Sequence, residues 1–252
     1  EGPLFRTGTG EITIRVEAIE LLAKSLRPMP EKWHGLRDPE TRFRQRYADL
    51  FMNREVRDTF RRRSELVAGL REHLVAHRFL EVETPVLQPL YGGAFARPFV
   101  TKHNALDMEL YLRISNELYL KRLIVGGLER VFEFSRDFRN EGMDRSHNPE
   151  FTILEFYQAF ADVFDMMAFT ESLVSSAVQR ARGAMAITYQ EETIDFTPPW
   201  PRLSMLDAVS DKVGERVHDL EPVRLAALAV RHGIGVRPGT GPRGLLDAVV
   251  SE

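Results

Sequence analysis

The spacing of apolar and polar residues changes several times along the chain, and each change marks an expected element. Residues 11–18 alternate apolar and polar positions, the two-residue period of a half-buried strand. Residues 19–23 form a second apolar segment before Pro28 and Pro30. A hairpin this small does not hold together alone, so residues 1–30 are expected to be the end of a larger β domain. From Arg54 the period lengthens. Val56, Phe60, Val67, Leu70 and Leu74 recur at helical spacing in a charged background, which predicts a long helix ending near His77-Arg78. Residues 79–87 predict a strand, with Pro85 implying an edge or a terminus. Residues 97–100 and 109–113 predict two more strands around His103-Asn104. Ser115 is a candidate N-cap for a helix carried by Leu118, Leu120, Leu123 and Ile124 and closed by Gly126-Gly127.

The stretch from Arg130 to Tyr157 is the most informative. Phe132, Phe134 and Phe138 share one parity, and Glu133, Ser135, Asp137 and Arg139 share the other. Beyond a polar turn, Phe151, Ile153, Glu155 and Tyr157 share a parity and Leu154 and Phe156 oppose them. Successive strand side chains point to opposite faces, so this predicts a long antiparallel hairpin with one apolar and one charged face. Such alternation commonly means that the charged face is solvated. Here Arg139, Glu141, His147, Glu150 and Glu155 crowd into a short stretch, and two large rings, Phe151 and Tyr157, share the face of Glu155. A carboxylate in that setting needs water, a partner or a ligand. Further on, residues 165–182 predict an amphipathic helix ending at Gly183, 187–205 two short strands broken by prolines, and 204–213 and 221–232 two weak helices. Residues 233–244 are rich in Gly and Pro. Strands and helices mix without regular βαβ alternation, which indicates an α+β, mainly antiparallel domain.

Composition narrows the function classes. The 252 residues are 43% hydrophobic and 28% charged, an ordinary globular balance. No apolar run reaches the roughly 20 residues that span a bilayer. The chain contains no cysteine, which excludes disulfides, thiolate metal sites and cysteine nucleophiles. A net charge of −3 argues against a protein that coats nucleic acid generally. Local clusters at Arg42, Arg44 and Arg46 and at Arg57 and Arg61-Arg62-Arg63 are basic, and a solvated helix face explains them as well as a contact does. The start Glu1-Gly2-Pro3 has no leader character, so a cytoplasmic location is expected. There is no Walker A loop, no G-x-G-x-x-G after a strand, no G-x-S-x-G and no H-E-x-x-H, and the seven histidines are scattered.

Specific segments match a family. His77-Arg78-Phe79-Leu80-Glu81-Val82-Glu83-Thr84-Pro85 resembles motif 1 of class II aminoacyl-tRNA synthetases, and Phe138-Arg139-Asn140-Glu141 with His147 and residues 151–155 resembles motif 2. Within the class, four segments resemble the lysyl enzymes of bacterial type. These are Trp33-His34-Gly35-Leu36 with Arg44-Gln45-Arg46-Tyr47, Gly92-Gly93-Ala94 with Ala96-Arg97-Pro98-Phe99, Asn116-Glu117-Leu118-Tyr119-Leu120-Lys121-Arg122, and His147-Asn148-Pro149-Glu150-Phe151-Thr152. The resemblance covers residues 1 to about 205. It implies the class II catalytic sheet flanked by helices over 54–252, a linker over 31–53, and the tail of an OB-fold anticodon-binding barrel over 1–30.

The resemblance also implies roles. Lysine, ATP and tRNA(Lys) would be the substrates, with Mg²⁺ as cofactor and a homodimer formed through residues 54–87. Arg139 would grip the ATP α-phosphate and the lysine carboxylate, Phe151 would stack on adenine, His147 and Asn148 would touch the nucleotide, and Glu141 would lie beside it. Glu117 and Glu155 would receive the two ammonium groups of lysine, Tyr157 would stand at the side-chain end, and Gly93 would admit close backbone approach. Taken singly, Glu117 also fits a first-turn helix carboxylate, and Phe151 and Tyr157 also fit core positions. Asn116 stands where the family often has Pro, and Ser146 where many members have Arg, with Arg145 one place earlier. Motif 3 and the carboxylates that hold the metal are not in the sequence and are expected beyond Glu252. The expected activity is a lysine–tRNA ligase. A protein-lysylating paralogue and a non-catalytic binding regulator are the other readings, and little activity is expected of these 252 residues alone.

Overall fold

The computed structural model describes residues 1–29, 35–144, 146–217, 220–231, 233, 241 and 244. Trp33-His34, Arg145 and most of the Gly- and Pro-rich stretch after 233 lie outside the described residues. The chain divides into two units, residues 1–68 and 69–252.

In the first unit, β1 (Leu4–Arg6) pairs antiparallel with β2 (Ile12–Ile14) around a turn closed by the Gly10 N–H donating to the Thr7 carbonyl at 2.9 Å. The strand is shorter than the alternation over 11–18 suggests. Its ladder partner β1 precedes it, the apolar run at 19–23 forms no strand among the described residues, and Ile19, Leu21 and Leu22 are exposed. The segment expected as linker carries two helices instead, α1 (Pro39–Arg44) and α2 (Arg46–Met52). Asp38 caps α1 by accepting the Thr41 N–H at 2.8 Å, and Pro39 takes the first helical position, where its missing N–H is harmless. Asp49, fully buried, accepts from Arg42 Nε at 2.8 Å, from Asn53 Nδ2 at 2.6 Å and from Arg46. Arg44 pairs with Glu40. The basic cluster at 42–46 is therefore held by carboxylates of its own unit.

The division between units falls within α3 (Arg54–Ala76). In the second unit two three-stranded sheets form. The first has β3 (Leu80–Glu81) parallel to β7 (Arg130–Phe138), and β7 antiparallel to β8 (Glu150–Gln158). The second has β6 (Met108–Leu112) at its centre, antiparallel to β4 (Leu87–Gln88) and to β5 (Val100–His103). The single strand expected at 79–87 is thus split between two sheets. Pro85 cannot donate to a ladder, and the Thr84 N–H turns instead to a buried carboxylate, Glu133 Oε1, at 3.2 Å. Helix α4 (Glu117–Val125) is capped by Asn116, one residue later than expected, with no side-chain bond from the cap. The Ser115 hydroxyl nonetheless accepts the Glu117 N–H at 3.1 Å.

Helix α5 (Val163–Arg182) opens with a reciprocal capping box between Asp162 and Asp165 and ends at Gly183 with φ 70°. A core forms between one face of the β7–β8 hairpin and two helices. Phe132, Phe134, Leu154 and Phe156 pack with Leu70 and Leu74 of α3 and with Phe169 and Leu173 of α5. A Cβ at Gly69 would stand 2.9 Å from Arg180 Cδ and 3.3 Å from Ala177 Cα, so the glycine sets how closely α5 approaches. The hairpin of β9 (Ala186–Tyr189) and β10 (Glu192–Asp195) follows. Then α6 (Met205–Val213) and α7 (Pro222–Arg231) share a separate small core of Val209, Val217, Leu225, Leu228 and Ala229.

Candidate active site

The second face of the β7–β8 hairpin carries the chemistry. The register pairs Glu133 with Glu155, Ser135 with Ile153, and Asp137 with Phe151. Its polar residues are not solvated: Glu133 is 3% exposed, Ser135 2% and Asp137 0%. Arg113, the residue after β6, supplies the counter-charge. Its Nη1 donates to Glu133 Oε1 at 2.7 Å and to the Thr84 carbonyl at 3.0 Å, and its Nε donates to the Arg136 carbonyl at 2.9 Å and lies 3.2 Å from Asp137 Oδ1. Glu133 Oε2 also accepts from Asn116 Nδ2 at 3.0 Å and Thr84 Oγ1 at 2.6 Å. Burial, reinforced by Glu133, holds the Asp137 carboxyl above the usual carboxylate range against the Ser135 hydroxyl, Arg113 and Arg139.

Above this floor lies an acidic pocket. Glu155 is half-buried and accepts from Ser115 Oγ at 3.0 Å and, more weakly, from the Tyr157 hydroxyl at 3.4 Å. Among the described residues no cation pairs with it. Burial, with Asp137 and Glu117 nearby, pushes its carboxyl up, and the two hydroxyls only partly offset this. Burial and the same acidic neighbours push the Tyr157 phenol beyond its ordinary range, so it stays a neutral donor. Glu117 begins α4 and pairs with Lys121 Nζ at 2.5 Å, and that ammonium lies 5.9 Å from the Tyr157 ring centre. Gly93, at φ +88°, completes the wall. A Cβ there would stand 2.8 Å from Ser115 Oγ and 2.9 Å from Glu117 Cβ.

The other expected residues gather at the open end of the hairpin. Arg139, Glu141, Gly142, Ser146, His147, Asn148 and Phe151 line a cleft of about 290 Å³. Arg139 and Glu141 stand just past the end of β7 rather than on the strand. The Arg139 guanidinium carbon is 5.0 Å from the Phe151 ring centre, and its buried Nε has no hydrogen-bond partner among the described residues. A buried N–H left without an acceptor is costly, and an anion at this spot would satisfy it. Glu141 Oε1 accepts the Arg97 N–H at 3.3 Å, and the Asn140 N–H donates to the Arg97 carbonyl at 2.8 Å, which ties the segment leading into β5 to the cleft. Asp144 organises the turn by accepting the N–H groups of Ser146 at 2.7 Å and His147 at 2.8 Å, with His147 Nδ1 at 2.9 Å. Those bonds hold the Asp144 carboxyl below the usual range.

All the site residues expected from the sequence therefore fall into two neighbouring sets. Arg139, Glu141, His147, Asn148 and Phe151 surround the cleft, and Gly93, Glu117, Glu155 and Tyr157 form the acidic pocket. Phe151 and Glu155 are four residues apart on one strand face, a spacing of roughly 13 Å. Sequence reasoning missed the supporting groups Arg113, Glu133, Asp137 and Asn116. The signal for them was present in the polar parity of β7, which needed a buried cation.

The model of the family described as tRNA synthetases class II (D, K and N) matches residues 38–230. The chain is 52% identical over 252 residues to a lysine–tRNA ligase of Carboxydothermus hydrogenoformans, covering 100% of this chain and 52% of that protein. It is 55% identical over 213 residues to a lysine–tRNA ligase of Clostridium botulinum, covering 84% and 42%. It is 56% identical over 214 residues to one of Syntrophomonas wolfei, covering 85% and 43%. The chain spans about half the length of the curated relatives it matches. It belongs to the class II tRNA synthetase family of the D, K and N group.

Proposed function

We propose that this chain carries the amino-acid and nucleotide sites of a lysine–tRNA ligase. The observation that carries the reading is Glu155, a half-buried carboxylate with hydroxyl partners and, among the described residues, no cation paired with it, set beside Glu117. Two carboxylates in one pocket suit an amino acid with two ammonium groups. They repel the side-chain carboxylate of aspartate, and they leave a surplus charge against the neutral amide of asparagine. The pocket already accepts one primary ammonium, that of Lys121, between Glu117 and the Tyr157 ring. The similarity to lysine–tRNA ligases supports the same substrate.

In the proposed reaction a lysine carboxylate oxygen attacks the α-phosphorus of ATP, the bond from that phosphorus to the α,β-bridging oxygen breaks, and pyrophosphate leaves with the bridging oxygen. The resulting lysyl-adenylate is then attacked by a hydroxyl at the 3′ end of tRNA(Lys), and AMP leaves. No side-chain nucleophile is needed, so the protein contributes position and charge. Arg139, with its free buried Nε, would bind the reacting phosphoryl oxygens. Phe151 would stack on adenine, with His147, Asn148 and Glu141 around the nucleotide. Tyr157 and Glu155 would hold one ammonium group and Glu117 the other, after displacing Lys121. ATP is commonly accompanied by Mg²⁺. Among the described residues no group of three or more His, Asp or Glu side chains is placed to hold a metal ion. Residues 1–30 as the tail of an anticodon-binding barrel, pairing of two copies through 54–87, and a cytoplasmic setting belong to this reading. No helix among the described residues is long and apolar enough to cross a membrane.

The test is calorimetric titration of the chain with lysine, aspartate and asparagine, alongside amino-acid-dependent ATP–pyrophosphate exchange by the longer protein that contains it. Lysine alone should bind and support exchange. Exchange with aspartate or asparagine and not lysine would overturn the substrate assignment, and lysine binding without exchange would favour a regulator.

A further inference from the structure

We infer that Ser115 is a positioning residue of the amino-acid pocket: its single hydroxyl holds Glu155 and the first turn of α4, and with it Glu117, at a fixed separation. The inference rests on the reading of Glu117 and Glu155 as the carboxylates that receive the lysine ammonium groups. Ser115 Oγ donates to Glu155 Oε1 at 3.0 Å and accepts the Glu117 N–H at 3.1 Å. A hydroxyl has one proton and two lone pairs, so the backbone donor at Glu117 leaves the proton free to point at Glu155. The third neighbour is Gly93, where a Cβ would come within 2.8 Å of Ser115 Oγ. Three of the four pocket residues thus meet at one atom, and Ser115 is only 5% exposed.

Removing the hydroxyl would leave Glu155 with the longer bond from Tyr157 at 3.4 Å. The charged groups around it would be unchanged. Glu133 and Asp137 face it from β7 and Glu117 from α4, with Lys121 of α4 over the Tyr157 ring and Arg113 bound to Glu133. Burial, with Asp137 and Glu117 nearby, favours protonation of Glu155, whereas the Ser115 proton favours the ionised form that an ammonium group requires.

The experiment is Ser115→Ala in this chain, read by calorimetry with L-lysine and with ATP, and by carbon-13 titration of the Glu155 carboxyl, assigned by its loss in Glu155→Gln. Lysine affinity should fall about tenfold at neutral pH, ATP affinity should be unchanged, and the Glu155 titration should move to higher pH. Equal losses for lysine and ATP, or an unmoved Glu155 titration, would overturn the inference. If Ser115→Ala does not fold, Ser115→Cys, whose thiol is a weaker donor of similar shape, should give the same changes at smaller size. Lysine binding that is unaffected by either substitution defeats this inference alone. A parent chain that binds ATP but no lysine defeats the functional reading, and this inference with it.

Discussion

Glu133 and Glu155 lie directly opposite each other across the β7–β8 hairpin, yet among the described residues Glu133 is matched by a cation and Glu155 is not. Like charges in such a pair destabilise a hairpin. Arg113, Asn116 and Thr84 neutralise and saturate Glu133, whereas Glu155 has two hydroxyls and a raised pKa. Glu133 is therefore saturated and Glu155 left electrostatically open, and the proposed substrate would supply the charge missing at Glu155.

Removing the matched cation should be severe. Arg113→Met would leave Glu133 and Asp137 buried without their counter-charge, at a cost of about 3–5 kcal/mol. Urea unfolding at neutral pH should show it as a lower midpoint with an unchanged slope.

The open carboxylate should behave in the opposite way. Burial raises the Glu155 pKa above the ordinary glutamate value, so between the unfolded and the folded pKa the native chain binds more protons than the unfolded one. Stability contributed by Glu155 is then present at lower pH and is lost as pH rises through the folded pKa. Glu155→Gln should remove this loss, leaving the folded chain at least as stable at neutral pH while lysine binding is strongly weakened and ATP binding kept. In the parent, lysine affinity should rise with pH across the same window, because only the ionised carboxylate pairs with ammonium. Paired melting curves and calorimetry over mildly acidic to neutral pH measure both trends, and equal loss of lysine and ATP binding in the variant would contradict the assigned role.

Phe151→Ala should separate the two sites in the reverse sense. Stacking of a base on an aromatic ring is worth about 1–3 kcal/mol, and that much ATP affinity should be lost while lysine affinity is retained. The same variant also releases the Arg139 guanidinium from the ring, so titration with pyrophosphate should change less than titration with ATP.

Gly93→Ala tests the wall of the acidic pocket. The position has φ +88° and the new Cβ would press on Ser115 and Glu117. Backbone strain of this kind costs about 1–3 kcal/mol. The loss should appear in lysine affinity more than in ATP affinity, with modest loss of thermal stability.

The sequence made the hairpin legible because its two-residue period is long and its rings and charges fall on opposite parities. It made α3 and α5 legible through helical spacing and, for α5, through Gly183. It did not make α1 and α2 legible, because each is short and their stability comes from Asp49 binding Arg42, Arg46 and Asn53, a pattern set by three-dimensional contact. The 79–87 run looked like one strand because alternation does not record which sheet a strand joins. In the site, the residues that touch ligands in the proposed reading were found through family motifs, whereas Arg113 and Ser115 were not. Their importance comes from what they hold, and a polar residue after an apolar strand carries no mark of that until the opposing carboxylates are in place.

The core shared by α6 and α7 has a consequence for how the chain comes apart. Among the described residues it has none in common with the core under the hairpin. Sets of side chains that do not interlock open separately. Amide hydrogens of α6 and α7 should exchange with solvent as one group, at a rate independent of substitutions such as Arg113→Met, and limited proteolysis should cut there while the hairpin remains folded.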